Sequence, residues 1–111
     1  MTDLSGWGGF PKFSGAVTEP ASETALVKAV TAGAVIARGN GRAYGDSAIG
    51  LHGTINMQKL NHMLSFDRQS GVLVAEAGVL LSDIITAFLP HGWFPSVTPG
   101  TKFVTLGGMI A

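Results

Sequence analysis

Cysteine is absent from the 111 residues, which removes disulfides, thiolate metal ligands and a cysteine nucleophile from consideration. Charge is scarce as well. Asp, Glu, Lys and Arg make up 13% of the chain, and seven basic residues balance seven acidic ones. No net field therefore draws the protein to nucleic acid or to an anionic membrane. Long apolar runs are missing too: the greasiest stretch, residues 79–89, is broken by Ser82, Asp83 and Thr86. It is too short for a bilayer, which takes about 20 residues, so no membrane span is expected. Met1 to Phe10 has neither the basic region nor the apolar core of a signal peptide. These absences together predict a cytoplasmic protein, one domain or a piece of one.

Glycine is what the chain has in excess, with 16 residues, and 46% of positions are hydrophobic. That is about twice the average glycine usage. The most telling use of it is Ile36-Ala37-Arg38-Gly39-Asn40-Gly41-Arg42-Ala43-Tyr44-Gly45-Asp46, where a short apolar run empties into a loop of three glycines and two arginines. Glycines let the backbone turn and approach a ligand, and successive exposed N–H groups make a concave anion site. Guanidiniums add forked donors that suit phosphate oxygens. The loop reads as a pyrophosphate cradle; a glycine-rich surface turn with solvated arginines has the same composition. A Rossmann G-x-G-x-x-G is not met, because Tyr44 stands where the third glycine belongs. That disfavours a nicotinamide dinucleotide module, and no Walker Gly-Lys-Ser/Thr occurs.

Along the chain, residues 15–20 read as a strand closed by Pro20. Ser22 is a helix N-cap, Glu23 suits the positive helix end, and Ala25, Leu26, Ala29 and Val30 form a stripe ended by Gly33. With a second strand at 34–37, residues 15–38 read as one β-α-β unit. Thr54-Ile55-Asn56-Met57 predicts a strand; Leu60, Met63 and Leu64 predict a helical turn. Residues 65–68 and 72–76 predict a hairpin around Gln69-Ser70-Gly71. Leu80, Leu81, Ile84, Ile85, Phe88 and Leu89 predict an amphipathic helix stopped by Pro90 and Gly92. The fold class is α+β (α/β), a short mixed sheet with two main helices.

A second glycine-bearing segment follows, Pro99-Gly100-Thr101 and then Val104-Thr105-Leu106-Gly107-Gly108-Met109-Ile110-Ala111. A Gly-Gly pair before small and apolar residues suits a helix start against which a ligand lies; a β-turn and linker fit the same residues. Two such loops in this order, separated by a hairpin and a helix, are more specific than either alone.

With both loops and with Gly6-Trp7-Gly8, Glu76-Ala77-Gly78, Gly92-Trp93-Phe94 and Val97-Thr98-Pro99, the chain resembles the PCMH-type FAD-binding domain. That domain is shared by relatives of vanillyl-alcohol oxidase and p-cresol methylhydroxylase, among them the bacterial subgroup containing decaprenylphosphoryl-ribose 2-oxidase. The resemblance runs from about Ser5 to Ala111. It implies that Arg38, Gly39, Asn40, Gly41, Arg42, Ala43 and Tyr44 wrap the FAD pyrophosphate, chiefly through backbone N–H groups. It implies a second wall around the diphosphate, ribityl chain and ring from Thr98, Gly100, Thr101, Val104, Thr105, Gly107, Gly108 and Ile110. Arg42 stands where covalent-flavin members carry histidine, so the FAD is expected to be non-covalent. Ala43 replaces a serine usual there.

The resemblance further implies residues 1–95 as a first FAD-binding subdomain and 96–111 as the start of a second. The parent is then a bacterial FAD-dependent oxidoreductase that oxidises an alcohol of a sugar or lipid-linked sugar. Peripheral membrane association of that parent stays open. On this reading the 111 residues are an N-terminal portion that holds no catalytic residue; the alternative is a non-catalytic fragment that binds FAD weakly and self-associates through uncovered apolar surface.

His52, His62 and His91 match no compact metal spacing and read as surface or turn residues. Asp46 reads as a turn residue and Asp83 as a helix-surface residue. Tyr44 is placed either to pack on the cofactor or to donate a hydrogen bond. Trp7, Phe10, Trp93 and Phe94 read as aromatics of the core or of a subdomain interface.

Overall fold

The computed structural model describes residues 2–111. β1 (Thr2–Ser5) and β2 (Lys12–Gly15) pair antiparallel, with Leu4 opposite Phe13. β3 (Val17–Thr18), β4 (Ile36–Arg38) and β5 (Thr54–Asn56) form a parallel sheet in the order β3-β5-β4. α1 (Glu23–Thr31) carries the chain across it. The Ser22 hydroxyl accepts the Ala25 N–H at 3.1 Å, which satisfies one of the free amides of the first turn. The β-α-β unit at 15–38 therefore forms, but its two strands do not touch: β5 pairs with both. A local pattern cannot show that a later strand, Thr54–Asn56, slots between them. The buried Thr54 earns its place in the middle strand by accepting the Gly50 N–H at 2.9 Å through its hydroxyl.

β6 (Met63–Asp67) and β7 (Val72–Ala75) form the expected hairpin, whose first strand starts two residues earlier and whose two strands each end one residue sooner. The turn is held by the Asp67 carboxylate, which accepts the Gln69 and Ser70 N–H groups at 2.8 and 3.4 Å. The helical turn expected at Leu60, Met63 and Leu64 is not there. Leu60 closes a short turn by donating to the Met57 carbonyl, whereas Met63 and Leu64 belong to β6, Met63 pairing with Ala75. Spacing of three and four over so few residues fits helix or irregular strand alike, and pairing with β7 decided it.

α2 (Leu81–Phe88) follows, with a 3-10 turn at Leu89–His91 that ends at a left-handed Gly92. Its inner face holds Leu81 and Ile84. Phe88 packs on Phe66 of the hairpin with ring centroids 4.5 Å apart, and Trp93 meets Phe66 edge-on at 5.3 Å. Ile55, Leu60, Val79, Leu81 and Ile84 make up the centre of the core. Residues of this size each contribute about 1.5–3 kcal/mol when fully buried. α3 (Leu106–Ile110) is a third, short helix beyond the two main ones.

The fold is α+β as expected, with the strands divided among three small sheets. The plate measures 44 × 32 × 17 Å, and its faces are unevenly covered. α1 buries no residue, and Val27 and Val30 are about half exposed. α1 ends just before Gly33, as expected, with Ala32 as a right-handed C-cap. Of the four large aromatics, Trp93 is half-buried in the hairpin contact, while Trp7, Phe10 and Phe94 are exposed and lie outside the core. Among the described residues no helix is long and apolar enough to cross a membrane.

Core and periphery should respond differently to truncation. Leu81→Ala is expected to cost about 2–5 kcal/mol in urea unfolding, whereas Val30→Ala on α1 should stay within about 1 kcal/mol. A second expectation concerns acid. Backbone N–H donation from Gln69 holds the Asp67 carboxyl below its ordinary value, and donation from the His62 N–H does the same for Glu76. Depressed folded-state values mean that unfolding takes up protons, so this stabilisation is complete above pH ~4–5 and disappears as pH falls through the folded values. Urea midpoints measured from pH 7 down to pH 3 should fall, with a shallower fall in Asp67→Asn.

Candidate functional site

β4 and β5 are parallel, with Arg38 beside Asn56, so both strands release their chains at one edge of the sheet. The glycine loop 39–45 leaves β4 there, and Met57-Gln58 leaves β5. Gly41 sits at φ +68 and Gly45 at φ +60, conformations that bulky side chains resist. None of the backbone N–H groups from Gly39 to Gly45 donates to another described residue. A run of unpaired amides on a turning backbone is an anion-binding concavity.

The second loop is anchored opposite by the needs of α2. That helix has no side-chain cap, so its first amides look elsewhere: Leu81 donates to the Val104 carbonyl at 2.9 Å and Ser82 to Lys102 at 2.8 Å. Leu106 and Gly107 then donate to the Val79 and Ala77 carbonyls at 2.7 and 3.0 Å. Thr105, buried, caps α3 by accepting the Gly108 N–H at 3.3 Å.

The two loops meet. The Phe103 carbonyl accepts from the Asn40 side-chain amide at 2.8 Å and from Arg42 Nε at 3.3 Å. Gln58 Nε2 donates to the Asn40 side-chain oxygen at 2.7 Å, which orients that amide towards Phe103. On the other side Gly39 lies against Thr105 so closely that a Cβ would run into the threonine hydroxyl. Between these contacts is a hollow of about 500 Å³, an ordinary size for a small-molecule site.

Of the residues expected at the site, Gly39, Asn40, Gly41, Arg42, Ala43, Val104, Thr105, Gly107 and Gly108 line this hollow. Arg38 lies behind the loop. Its guanidinium donates to the Ser5 carbonyl at 2.7 Å and to the Ala48 carbonyl at 3.4 Å, so only one of the two arginines presents its side chain to the hollow. Tyr44 is exposed and outside the lining, as are Thr98, Gly100, Thr101 and Ile110. Ala37, Ser47, Ala48, Met57, Ala77 and Ala111 complete the walls, and none of them was among the expected site residues. Met57 was within reach of sequence reasoning, since a residue just beyond the C-terminal end of a parallel strand stands where open α/β sheets bind ligands.

The amides of the two walls differ. Those of Leu106, Gly107 and Gly108 are taken up within the protein, so this wall offers a smooth backbone surface, while the 39–45 wall offers donors. Among the described residues no cluster of three or more His, Cys, Asp or Glu is positioned to hold a metal.

Residues 14–111 match the family described as FAD binding domain. The chain is 40% identical over 114 residues to a decaprenylphosphoryl-β-D-ribose oxidase of Mycolicibacterium smegmatis, a match covering 96% of this chain and 25% of that protein. It is 35% identical over 57 residues to a D-lactate dehydrogenase of Anaerostipes hadrus, covering 51% of this chain and 12% of the relative. The chain thus spans about a quarter or less of the length of these relatives.

Contact between Gly39 and Thr105 sets the spacing of the walls. Gly39→Ala should destabilise the fold by about 1–3 kcal/mol, the ordinary cost of overpacking, and Thr105→Ala, which removes the hydroxyl in the way, should cost less in that background than in the wild type. Urea unfolding of the single and double variants checks this.

Proposed function

The chain belongs to the FAD binding domain family, and from that premise we propose that the hollow between loops 39–45 and 103–108 holds the diphosphate of FAD. The observation that carries this reading is the run of unpaired N–H groups from Gly39 to Ala43, on residues that line one concave surface. Aligned donors with a cation beside them suit phosphate oxygens. The opposite wall at Gly107 and Gly108 carries no side chain, and a flat group can lie against it. Within the walls, Gly39 to Ala43 bind the phosphates, and Val104, Thr105, Gly107 and Gly108 border the ribityl and ring portions. Thr98, Gly100, Thr101, Tyr44 and Ile110 belong to this reading as outer contacts of the cofactor.

FAD is held without a covalent bond. Loop 38–45 has neither histidine nor cysteine, and Arg42 occupies the place where the family resemblance puts a histidine in covalent members. Residues 1–95 act as the first FAD-binding subdomain, and 96–111 open the second.

Bound flavin supplies two-electron chemistry, accepting hydride from an alcohol carbon. The relative named for a lipid-linked ribose supports a sugar or lipid-linked sugar alcohol as substrate, and the relative named for lactate is consistent with a secondary alcohol. The residues of this chain bind and orient the cofactor; none of them is assigned to proton transfer.

A second reading rests on the uncovered apolar positions Val27, Val30, Leu64, Val72, Val74 and Ile110. The 111 residues by themselves then associate through these faces and bind FAD weakly. Mass in solution and FAD titration of this chain separate the two readings: a monomer that saturates with FAD rejects the second.

Gly41→Val in the full-length protein tests the first. A Cβ there would meet the Arg38 guanidinium at 2.8 Å from a backbone at φ +68. The variant should lose bound flavin absorbance, or bind FAD at least about tenfold more weakly, a difference of about 1.4 kcal/mol. Unchanged flavin content in the folded variant would overturn the cradle.

A further inference from the structure

The turn between β1 and β2 lies outside the family match, which begins at residue 14, yet it is fastened to the glycine loop. The Trp7 N–H donates to the Ala43 carbonyl at 2.8 Å. The Arg38 guanidinium reaches the Ser5 carbonyl. Gly6 packs so tightly on the backbone of Ala43 and Gly45 that a Cβ would collide with both. Above these contacts the Trp7 ring stacks on Arg42, with the guanidinium carbon 4.3 Å from the ring centroid. Phe103 stands on the same guanidinium at 6.0 Å.

Arg42 has no acidic partner among the described residues. Its Nε is taken by the Phe103 carbonyl, and its two terminal nitrogens donate to no other described residue. A flexible arginine without an ion pair samples many rotamers, and ordering it costs conformational entropy. An aromatic face restricts the guanidinium to one plane while leaving its edge donors free. Only the edge not occupied by Phe103 remains, and Arg42 borders the hollow.

We propose that Trp7 is a positioning residue for the cofactor diphosphate: its ring holds the Arg42 guanidinium so that the terminal nitrogens face the anion in the hollow. The β1–β2 turn is thereby a functional part of the site rather than a leading strand pair. This rests on the reading of the hollow as an FAD diphosphate site, and the experiment separates the two.

FAD dissociation constants of the full-length apoprotein are measured by flavin fluorescence at low and high ionic strength. The proteins are wild type, Trp7→Leu, Trp7→Tyr, Arg42→Gln and the Trp7→Leu/Arg42→Gln double variant. Trp7→Leu should bind FAD about fivefold to tenfold more weakly and with a shallower salt dependence, because one cation no longer faces the phosphates. Trp7→Tyr restores most of the affinity. In the Arg42→Gln background, Trp7→Leu adds little. An equal loss from Trp7→Leu in both backgrounds would mean that the ring acts on folding alone and overturns the proposal, as would wild-type affinity in Trp7→Leu. Arg42→Gln with the salt dependence of wild type overturns it even if Trp7→Leu does not fold. Absence of FAD binding by the wild type, by contrast, removes the functional reading itself.

Discussion

One backbone carbonyl, that of Phe103, receives both the Asn40 side-chain amide and Arg42 Nε, and through it two segments some sixty residues apart in sequence become one surface. Each such hydrogen bond adds only about 0.5–1.5 kcal/mol net. The latch therefore selects a geometry more than it supplies stability. Its direction comes from Gln58, which fixes the Asn40 amide, and Gln58 is itself held by Asn56 through two hydrogen bonds. The relay starts at the end of the buried middle strand β5, so the width of the hollow is tied to the core of the sheet. On the far side Gly39 against Thr105 prevents closer approach.

The two walls use glycine for unlike reasons. At 39–45 it permits a backbone course that leaves a series of amides without partners. At 107 and 108 the amides are already satisfied, and what glycine contributes is the lack of a side chain; a Cβ at Gly107 would press on Ala77 at 3.2 Å. Donors on one side and bare surface on the other suit a ligand with a charged middle and flat ends. The 39–45 wall is held by its side chains and carbonyls, through Asn40 and Arg42 to Phe103 and through Ala43 to Trp7, which leaves its amides free.

Stability is concentrated elsewhere. Val79, Leu81 and Ile84 lie at the junction of the hairpin, α2 and the second loop, and the first amides of α2 are satisfied by carbonyls from residues 102 and 104. The second wall is thus fixed by the folding of the core. The first wall hangs from β4 and is braced by the β1–β2 turn. α1 and the outer hairpin face contribute little burial.

Residue order alone was enough for the local pieces: the Ser22 cap and α1, the hairpin turn, the face of α2 with its stop at Pro90 and Gly92, and both glycine loops. These depend on neighbours within a few positions, through side-chain capping, period and allowed φ, and such chemistry is written in the sequence. Where the periodic evidence was short, as at Leu60, Met63 and Leu64, strand pairing with β7 overrode it. Insertion of β5 between β3 and β4, the turning of Arg38 towards Ser5 and Ala48, the recruitment of Ser47 and Ala77 to the walls and the contact of Trp7 with Arg42 all join residues that no local pattern links. Only the tertiary structure decided them, because each depends on which carbonyl or ring face another segment brings within reach. That the two glycine loops form two walls of one site was implied by the family resemblance; which donors stayed free once they met was not.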